Sequence, residues 1–159
     1  MRVEEIMVRT AASCNAEMNL GEAVEIMWNR DCGILPIVNA ESKVTGVVTD
    51  RDIAVALGTR NRLPGEITIK EVVSPNLYCC KPEDEVHSAL HTMASTKVRR
   101  LPVVNKAGKL EGILSMDDVV SHSEANRGSD ISAERVVNIL KAVYSSHLPE
   151  RMPGKVAAA

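Results

Sequence analysis

Two short motifs place a hydroxyl and a carboxyl group one helical turn apart. Thr49 precedes Asp52 by three residues, and Ser115 precedes Asp118 by three. Each motif follows an apolar run that predicts a strand, so the hydroxyl falls where a helix begins. There it can donate to a phosphate oxygen, which free backbone N–H groups also attract. A carboxylate one turn later can accept both vicinal hydroxyls of a ribose, so the motifs suit a nucleotide.

The same residues have a purely structural interpretation. Each motif resembles a capping box in which Asp replaces the usual Glu or Gln, and a cap stabilises a fold by about 1 kcal/mol. Gly46 and Gly112 stand three residues before the hydroxyls. A glycine there lets a ligand approach the strand closely, and the neighbouring apolar residues offer walls for a flat base. Both interpretations are open at this point.

The motifs belong to a repeat with a constant offset of 66 residues. Residues 32–39 return as 98–105, and residues 46–53 return as 112–119. The identical pairs include Leu35 with Leu101, Pro36 with Pro102, and Gly46 with Gly112. A period this long, present twice, predicts two similar half-domains that pack on each other rather than a solenoid. We place copy one in residues 1–62, copy two in 63–122 and an extension in 123–159.

Each copy predicts the same order of elements. A short helical lead-in (3–7; 69–73) precedes an extended stretch that ends near Cys14 or Cys80. Next come an amphipathic helix, two strands (35–38 and 44–48; 101–104 and 110–114) and a closing helix that begins at the motif. The extension predicts a loop over 121–130, one helix from about 132 to 144 and a frayed end.

Composition excludes several classes of function. The net charge is −2, whereas a nucleic-acid surface normally shows a basic excess. The chain has no Phe and only three other aromatic residues, which argues against base stacking on aromatic platforms. No apolar run reaches the roughly 18 residues of a membrane span, and the acidic start does not resemble a signal peptide. We therefore expect a soluble, cytoplasmic protein that contacts neither nucleic acid nor membrane.

The two copies together resemble a tandem pair of CBS domains, also called a Bateman module, over roughly residues 1–122. The resemblance is carried by Leu-Pro-Ile/Val-Val-Asn in the first strand of each hairpin and by Gly-x-x-Thr/Ser-x-x-Asp after the second. It implies an α+β fold in which two β-α-β-β-α repeats pack as a pseudo-two-fold pair, here followed by the C-terminal helix. It also implies clefts for adenosyl ligands, with Thr49, Asp52, Ser115 and Asp118 binding ribose and phosphate.

The resemblance implies a second set of ligand contacts two and three residues before each strand proline. Those residues are Gly33 and Ile34 in copy one, and Arg99 and Arg100 in copy two. Arginine suits phosphate through paired donors, and we expect unequal sites because only copy two supplies arginines at these positions. Arg51, inside the first motif, is a further phosphate candidate.

No catalytic apparatus is apparent in the sequence: no activated nucleophile, phosphate-binding glycine loop or metal triad is recognisable. We expect a stand-alone regulatory module rather than an enzyme, with no metal and no obligatory cofactor. Its ligand would be AMP, ADP or ATP, with S-adenosylmethionine or NAD as alternatives. Binding would change the placement of the copies, and an unidentified partner protein would respond.

Other residues keep alternatives open. CBS pairs commonly form homodimers through their first helices, which favours an interface role for Trp28. A thiol- or metal-responsive module would use Cys79 and Cys80, or His87 and His91, which have the i, i+4 spacing of metal ligands. A third possibility is a protein-interaction module whose clefts stay empty and whose motifs only cap helices.

Overall fold

Each copy folds into an amphipathic helix, an antiparallel hairpin and a closing helix. These elements come from a computed structural model that describes residues 1–73, 76–123 and 131–145. Copy one contains α1 Leu20–Arg30, β1 Ile34–Val38, β2 Val44–Thr49 and α2 Asp50–Arg60. Copy two contains α3 Val86–Thr96, β3 Arg100–Val104, β4 Leu110–Ser115 and α4 Met116–Ser121, and α5 Ala133–Tyr144 follows. The mixed α/β architecture with two repeats is the predicted one, and each hairpin strand is one residue longer than the sequence pattern indicates.

Asparagine side chains fix the turn of each hairpin. Asn39 and Asn105 each accept two backbone N–H groups from the turn residues that follow them. The turn then needs a left-handed residue, which is Ser42 with φ 62° in copy one and Gly108 with φ 78° in copy two. Only glycine adopts this conformation without steric cost, so the first hairpin carries local strain that the second avoids.

The first strand of each repeat is reduced to one pairing residue. Cys14 forms a parallel bridge to Ile37, and Cys80 forms the equivalent bridge to Val103. The Cys14 N–H donates to the carbonyl oxygen of Pro36 at 3.0 Å. Pairing does not extend further towards the N-terminus because Val8, six residues earlier, already pairs with the sheet of the other copy.

The lead-in segments are exchanged between the copies. Both are single turns of 3-10 helix, Val3–Glu5 and Ile69–Glu71, and are thus shorter than predicted. Val3 is fully buried in the core that surrounds α3, whereas Ile69 is fully buried in the core that surrounds α1. The core of each repeat therefore contains a segment of the other repeat. Separating the two repeats would remove these segments and expose both cores.

Helix α5 covers the second repeat. Its apolar stripe packs against α3 and α4, with Val136 and Val143 buried and Ile139 and Leu140 partly buried. This agrees with the predicted helix over 132–144, and Ser132 caps it by accepting the N–H of Arg135 at 3.4 Å. Most of the predicted loop over 121–130, and the predicted frayed end, lie outside the described residues. Among the described helices, none has the length and apolar character that crossing a membrane would need.

Candidate functional site

Both motifs form complete capping boxes. In copy two, Ser115 Oγ donates to Asp118 Oδ2 at 2.6 Å, and the Ser115 N–H donates to the same oxygen at 2.8 Å. The Asp118 N–H donates back to Ser115 Oγ at 3.1 Å. The corresponding distances for Thr49 and Asp52 are 2.7, 2.9 and 3.2 Å. The structural interpretation of the motifs is therefore realised in both copies.

Capping limits what these residues can offer a ligand. The Ser115 hydroxyl has one proton, which it gives to Asp118, so it can donate to a phosphate only after releasing that carboxylate. The cap occupies Oδ2 of Asp118, and a carboxylate has a second oxygen that can accept a ribose hydroxyl. Capping and ribose binding are thus compatible, whereas a phosphate would compete with the Asp118 carboxylate for the hydroxyl proton of Ser115.

Two clefts lie between the copies and correspond to each other through the repeat. Cleft A has a volume of about 460 Å³ and cleft B about 250 Å³. Six of the described residues that line cleft A match six of the seven that line cleft B at the 66-residue offset, taken in either direction. The pairs, with the cleft A residue first, are Thr10 and Asn76, Ala12 and Tyr78, Arg30 and Thr96, Cys32 and Val98, Ile34 and Arg100, and Ile113 and Val47. At two of these pairs cleft B has the larger residue, since Tyr78 and Arg100 stand where cleft A has Ala12 and Ile34.

Cleft A gathers predicted ligand contacts from both copies. Gly33 and Ile34 of copy one line it together with Ser115 and Asp118 of copy two. Arg100, a predicted contact of copy two, lines this cleft and cleft B as well. Cleft A therefore brings together predicted contacts from both repeats.

The described part of cleft B contains fewer of the predicted residues. Val47 and Arg100 line it, but Thr49, Arg51 and Asp52 are not among its described lining residues. Arg51 is exposed, and its N–H donates to Asp50 Oδ1 at 2.7 Å. The structure thus assembles one candidate site more fully than the other.

Arg99 is not among the described lining residues of either cleft. Its guanidinium lies 5.8 Å from the ring centre of Tyr144, a cation–π distance. Tyr144 lies on α5, outside the repeat, so the repeat alone gave no indication of this contact. The predicted phosphate role of Arg99 therefore has no support in the geometry.

The motif glycines make room for the chain itself. A Cβ atom at Gly112 would lie 2.5 Å from the carbonyl oxygen of Val8, and one at Gly46 would lie 2.7 Å from Cγ2 of Val73. The sequence suggested that a ligand would use this space. Instead, the segments that run on from the exchanged lead-ins occupy it, so the glycines serve the contact between the copies.

The two clefts differ in charge. The described lining of cleft A contains two arginines and three carboxylates: Arg30, Arg100, Asp31, Asp117 and Asp118. Among the described lining residues of cleft B, Arg100 is the only charged one, beside the polar side chains of Asn76, Tyr78 and Thr96. Sequence reasoning missed most of these residues. These residues lie largely at the helix ends and in the stretches before Cys14 and Cys80. Applying the 66-residue offset there would have matched each residue of one copy with its equivalent in the other.

An open groove runs along α1 and α2, next to cleft A. It has a volume of about 630 Å³ and contains Val24, Trp28 and Leu57 among its apolar residues. Trp28 is 85% exposed. The groove shares Gly33 and Arg100 with cleft A, so an occupant of one would lie near the other.

The thiols and histidines form no further site in the described structure. All four cysteines are free, and burial raises the pKa of Cys14 and of Cys80 to about 12, and also raises the pKa of Cys79. A raised pKa disfavours the reactive thiolate. The described residues contain no group of three or more His, Cys, Asp or Glu side chains placed to hold a metal ion. His87 Nε2 instead lies 2.6 Å from Arg135 Nη1 on α5.

The chain was compared with known proteins and structures. A profile of the CBS domain matches residues 3–59 and 69–125. Inosine-5'-monophosphate dehydrogenase of Methanocaldococcus jannaschii is 26% identical over 119 residues, which are 75% of this chain but 23% of that protein. The CBS domain-containing protein YhcV of Bacillus subtilis is 28% identical over 127 residues, 80% of this chain and 89% of that protein. The chain thus spans about a quarter of the dehydrogenase and most of the shorter relative.

The fold comparison agrees with the sequence comparison. The CBS domain pair of protein MJ0100, crystallised with 5'-methylthioadenosine and S-adenosyl-L-methionine, superposes with a TM-score of 0.70 at 25% identity. The match covers 76% of this chain and 98% of that one. With the profile matching both repeats over more than half of the sequence, the chain belongs to the CBS domain family and contains a tandem pair of CBS domains.

Proposed function

We propose that this chain is a regulatory module that binds an adenosyl ligand of the AMP, ADP or ATP class between its two CBS repeats. The observation that carries the proposal is cleft A, where Ser115 and Asp118 of one repeat face Gly33 and Ile34 of the other. The ribose hydroxyl groups would donate to Oδ1 of Asp118, the oxygen that the cap does not use, and Ile34 and Ile113 would contact the base.

The relatives support the ligand class. A CBS pair of the same fold was crystallised with two adenosyl compounds. S-adenosylmethionine and NAD therefore remain alternatives to the nucleotides, because all of them share the adenosine portion that cleft A would bind. The cleft volume of about 460 Å³ lies within the usual range for small-molecule sites.

Signalling would follow from the position of the clefts between the copies. A ligand that contacts both copies favours the arrangement that brings its contacts together, and it shifts the equilibrium by its difference in affinity for the two arrangements. A partner protein would recognise one arrangement. The module would thus act through binding rather than catalysis, and its four free thiols suit a reducing compartment such as the cytoplasm.

We also propose that the module forms a homodimer through the α1–α2 groove. Trp28 and Val24 are exposed there, at 85% and 44%. The equivalent face of copy two, on α3, is covered by α5. The unpaired apolar face in copy one therefore suits a second copy of the chain, and the groove adjoins cleft A.

Thermal unfolding of ligand-stripped protein tests the ligand proposal. We expect one of AMP, ADP, ATP, NAD, S-adenosylmethionine or 5'-methylthioadenosine to stabilise the protein by about 2.7 kcal/mol at 100 times its dissociation constant. For a chain of this size, that corresponds to about 5–10 °C in Tm.

Two matched variants separate capping from binding. Asp52→Ala and Asp118→Ala each remove one capping box, so each should cost about 1 kcal/mol of stability without ligand. Only Asp118→Ala should abolish the ligand-induced shift at cleft A. A shift that survives in Asp118→Ala would place the ligand elsewhere.

One alternative has a specific observation in its favour. Both capping boxes are complete without a ligand, as a protein-interaction module with empty clefts would require. Under that alternative, no adenosyl compound shifts the Tm of stripped protein, and both Asp variants reduce stability equally. If the Asp118→Ala variant then still bound a partner protein, Asp118 would serve only as a helix cap.

A further inference from the structure

Arg100 is a single residue that lines two clefts. It belongs to the lining of cleft A and of cleft B, whereas its repeat counterpart, Ile34, lines cleft A and is apolar. A strict repeat would supply each cleft with its own cation or supply neither. Here Arg100 is the one charged residue among the described ones that lines both clefts, while Arg30 lines cleft A alone.

The present partner of Arg100 holds it weakly. Its Nη2 lies 3.8 Å from Asp117 Oδ2, and the Asp117 side chain is 86% exposed. Long, exposed ion pairs contribute little free energy, so the guanidinium can leave Asp117 for a stronger acceptor. A phosphate is such an acceptor, because it takes two parallel donors from one arginine.

We propose that Arg100 is a phosphate anchor shared by the two clefts, so that a phosphorylated ligand in one cleft lowers the affinity of the other for a second. The proposal rests on the proposed function, since it needs adenosyl ligands in the clefts. A side chain that is turned to one phosphate is no longer directed to the other. If cleft B takes the guanidinium, cleft A is left with Arg30 against the Asp31, Asp117 and Asp118 carboxylates, so the negative charges exceed the positive one and repel a second phosphate.

The coupling must depend on the phosphate. Adenosine has the base and ribose of AMP but no anionic group, so its two binding events do not compete for Arg100. The difference in size between the clefts affects both ligands alike. Comparing the two ligands therefore cancels its effect on the ratio of dissociation constants. The quantity of interest is the ratio of the second to the first dissociation constant, measured for AMP and for adenosine.

The experiment is isothermal titration of the full chain with each ligand. For the unmodified protein, we expect the AMP ratio to exceed the adenosine ratio by on the order of tenfold. In Arg100→Ala, the two ratios should become equal and the first AMP should bind more weakly. Arg99→Ala is the matched control, because it removes the neighbouring guanidinium, which stacks on Tyr144, and should leave the excess intact.

A gain-of-function variant guards against a misfolded Arg100→Ala protein. Asp117→Arg changes an exposed side chain and gives copy two the residue that copy one has at Arg51. With a further cation and one carboxylate fewer in cleft A, the AMP ratio should fall towards the adenosine ratio. If the unmodified protein binds two adenosines but one AMP, this variant should restore the second AMP.

The remaining outcomes overturn the proposal. They are equal AMP and adenosine ratios in the unmodified protein, an excess that survives in Arg100→Ala, no response to Asp117→Arg, or a single adenosine per chain. Absence of any AMP or adenosine binding would contradict the proposed function itself, which distinguishes the two failures.

Discussion

The carbonyl oxygen of Val8 lies 2.5 Å from the point where Gly112 would carry a Cβ atom. The backbone of Val8 also pairs with Ile113 through two hydrogen bonds of 2.9 Å. The chain beyond the first lead-in thus passes directly over β4 of the other repeat, and a missing side chain permits it. This contact joins the two copies at the edge of cleft A, which Val8 and Ile113 both line.

We therefore expect Gly112→Ala to destabilise the fold. The new methyl group would push against backbone, which cannot rotate away as a side chain can, so the cost should be about 1–3 kcal/mol. Urea unfolding measures it. Gly65→Ala is the control, since no heavy atom lies within 4 Å of its Cβ position, and it should stay within about 0.5 kcal/mol of the unmodified protein. Equal stability of the two variants would contradict this explanation.

The first hairpin turn should be improved by one substitution. Ser42 has φ 62°, and its counterpart Gly108 has φ 78°. Because a Cβ atom costs about 1–2 kcal/mol in the left-handed region, partly offset by the greater flexibility of unfolded glycine, Ser42→Gly should raise stability by about 0.5–1 kcal/mol. Gly108→Ser should lower it by a similar amount. Changes of opposite sign in the unfolding midpoints of the two variants would confirm this explanation, and a loss of stability in Ser42→Gly would refute it.

The second lead-in should make stability depend on acid pH. Bonds from the Thr68 N–H and the Arg62 guanidinium lower the pKa of Glu71 from its ordinary 4.5 to about 2. A carboxyl whose pKa is lower in the folded state stabilises the fold above the unfolded pKa, and this contribution disappears as the pH falls. Glu71→Gln should thus be less stable than the unmodified protein at pH 7, and the difference should shrink between about pH 5 and pH 2.

The equivalent residue of copy one supplies the control for Glu71. The Glu5 carboxylate accepts a hydrogen bond from the Arg2 N–H at 2.7 Å. The Glu71 carboxylate accepts the equivalent bond from the Thr68 N–H and also bonds from the guanidinium groups of Arg60 and Arg62. Glu5→Gln should therefore produce a smaller difference at pH 7. Chemical unfolding at several pH values tests both variants, and a pH-independent effect of Glu71→Gln would rule out the ionic explanation.

The proposed homodimer should depend on Trp28. A large aromatic side chain at the centre of an apolar face is a common hot spot, and a charge there would have to be buried on dimerisation. Trp28→Glu should shift the protein from dimer to monomer in light scattering. Val137→Glu, on the exposed side of α5, is the control and should leave the mass unchanged. An unmodified protein that is monomeric at high concentration would exclude the dimer.

Local patterns in the sequence account for the elements of this fold. The 3.6-residue and two-residue periodicities predicted the helices and hairpins, and the constant offset predicted two equivalent units. The Thr49–Asp52 and Ser115–Asp118 spacings predicted the capping boxes, because such contacts lie within one helical turn. Interactions of this range depend on neighbours in the chain, which a sequence displays directly.

The clefts depended on contacts that sequence spacing does not encode. The exchange of lead-ins placed Val8 over Gly112 in space that a ligand was expected to use. Arg99 contacts the ring of Tyr144, which lies outside the repeat, whereas the neighbouring Arg100 lines both clefts. These two arginines are adjacent in the chain but have different contacts, because the position of a long side chain depends on the groups that pack beside it. The sequence determined which units form and which residues were available, and tertiary packing alone decided which of them meet between the copies.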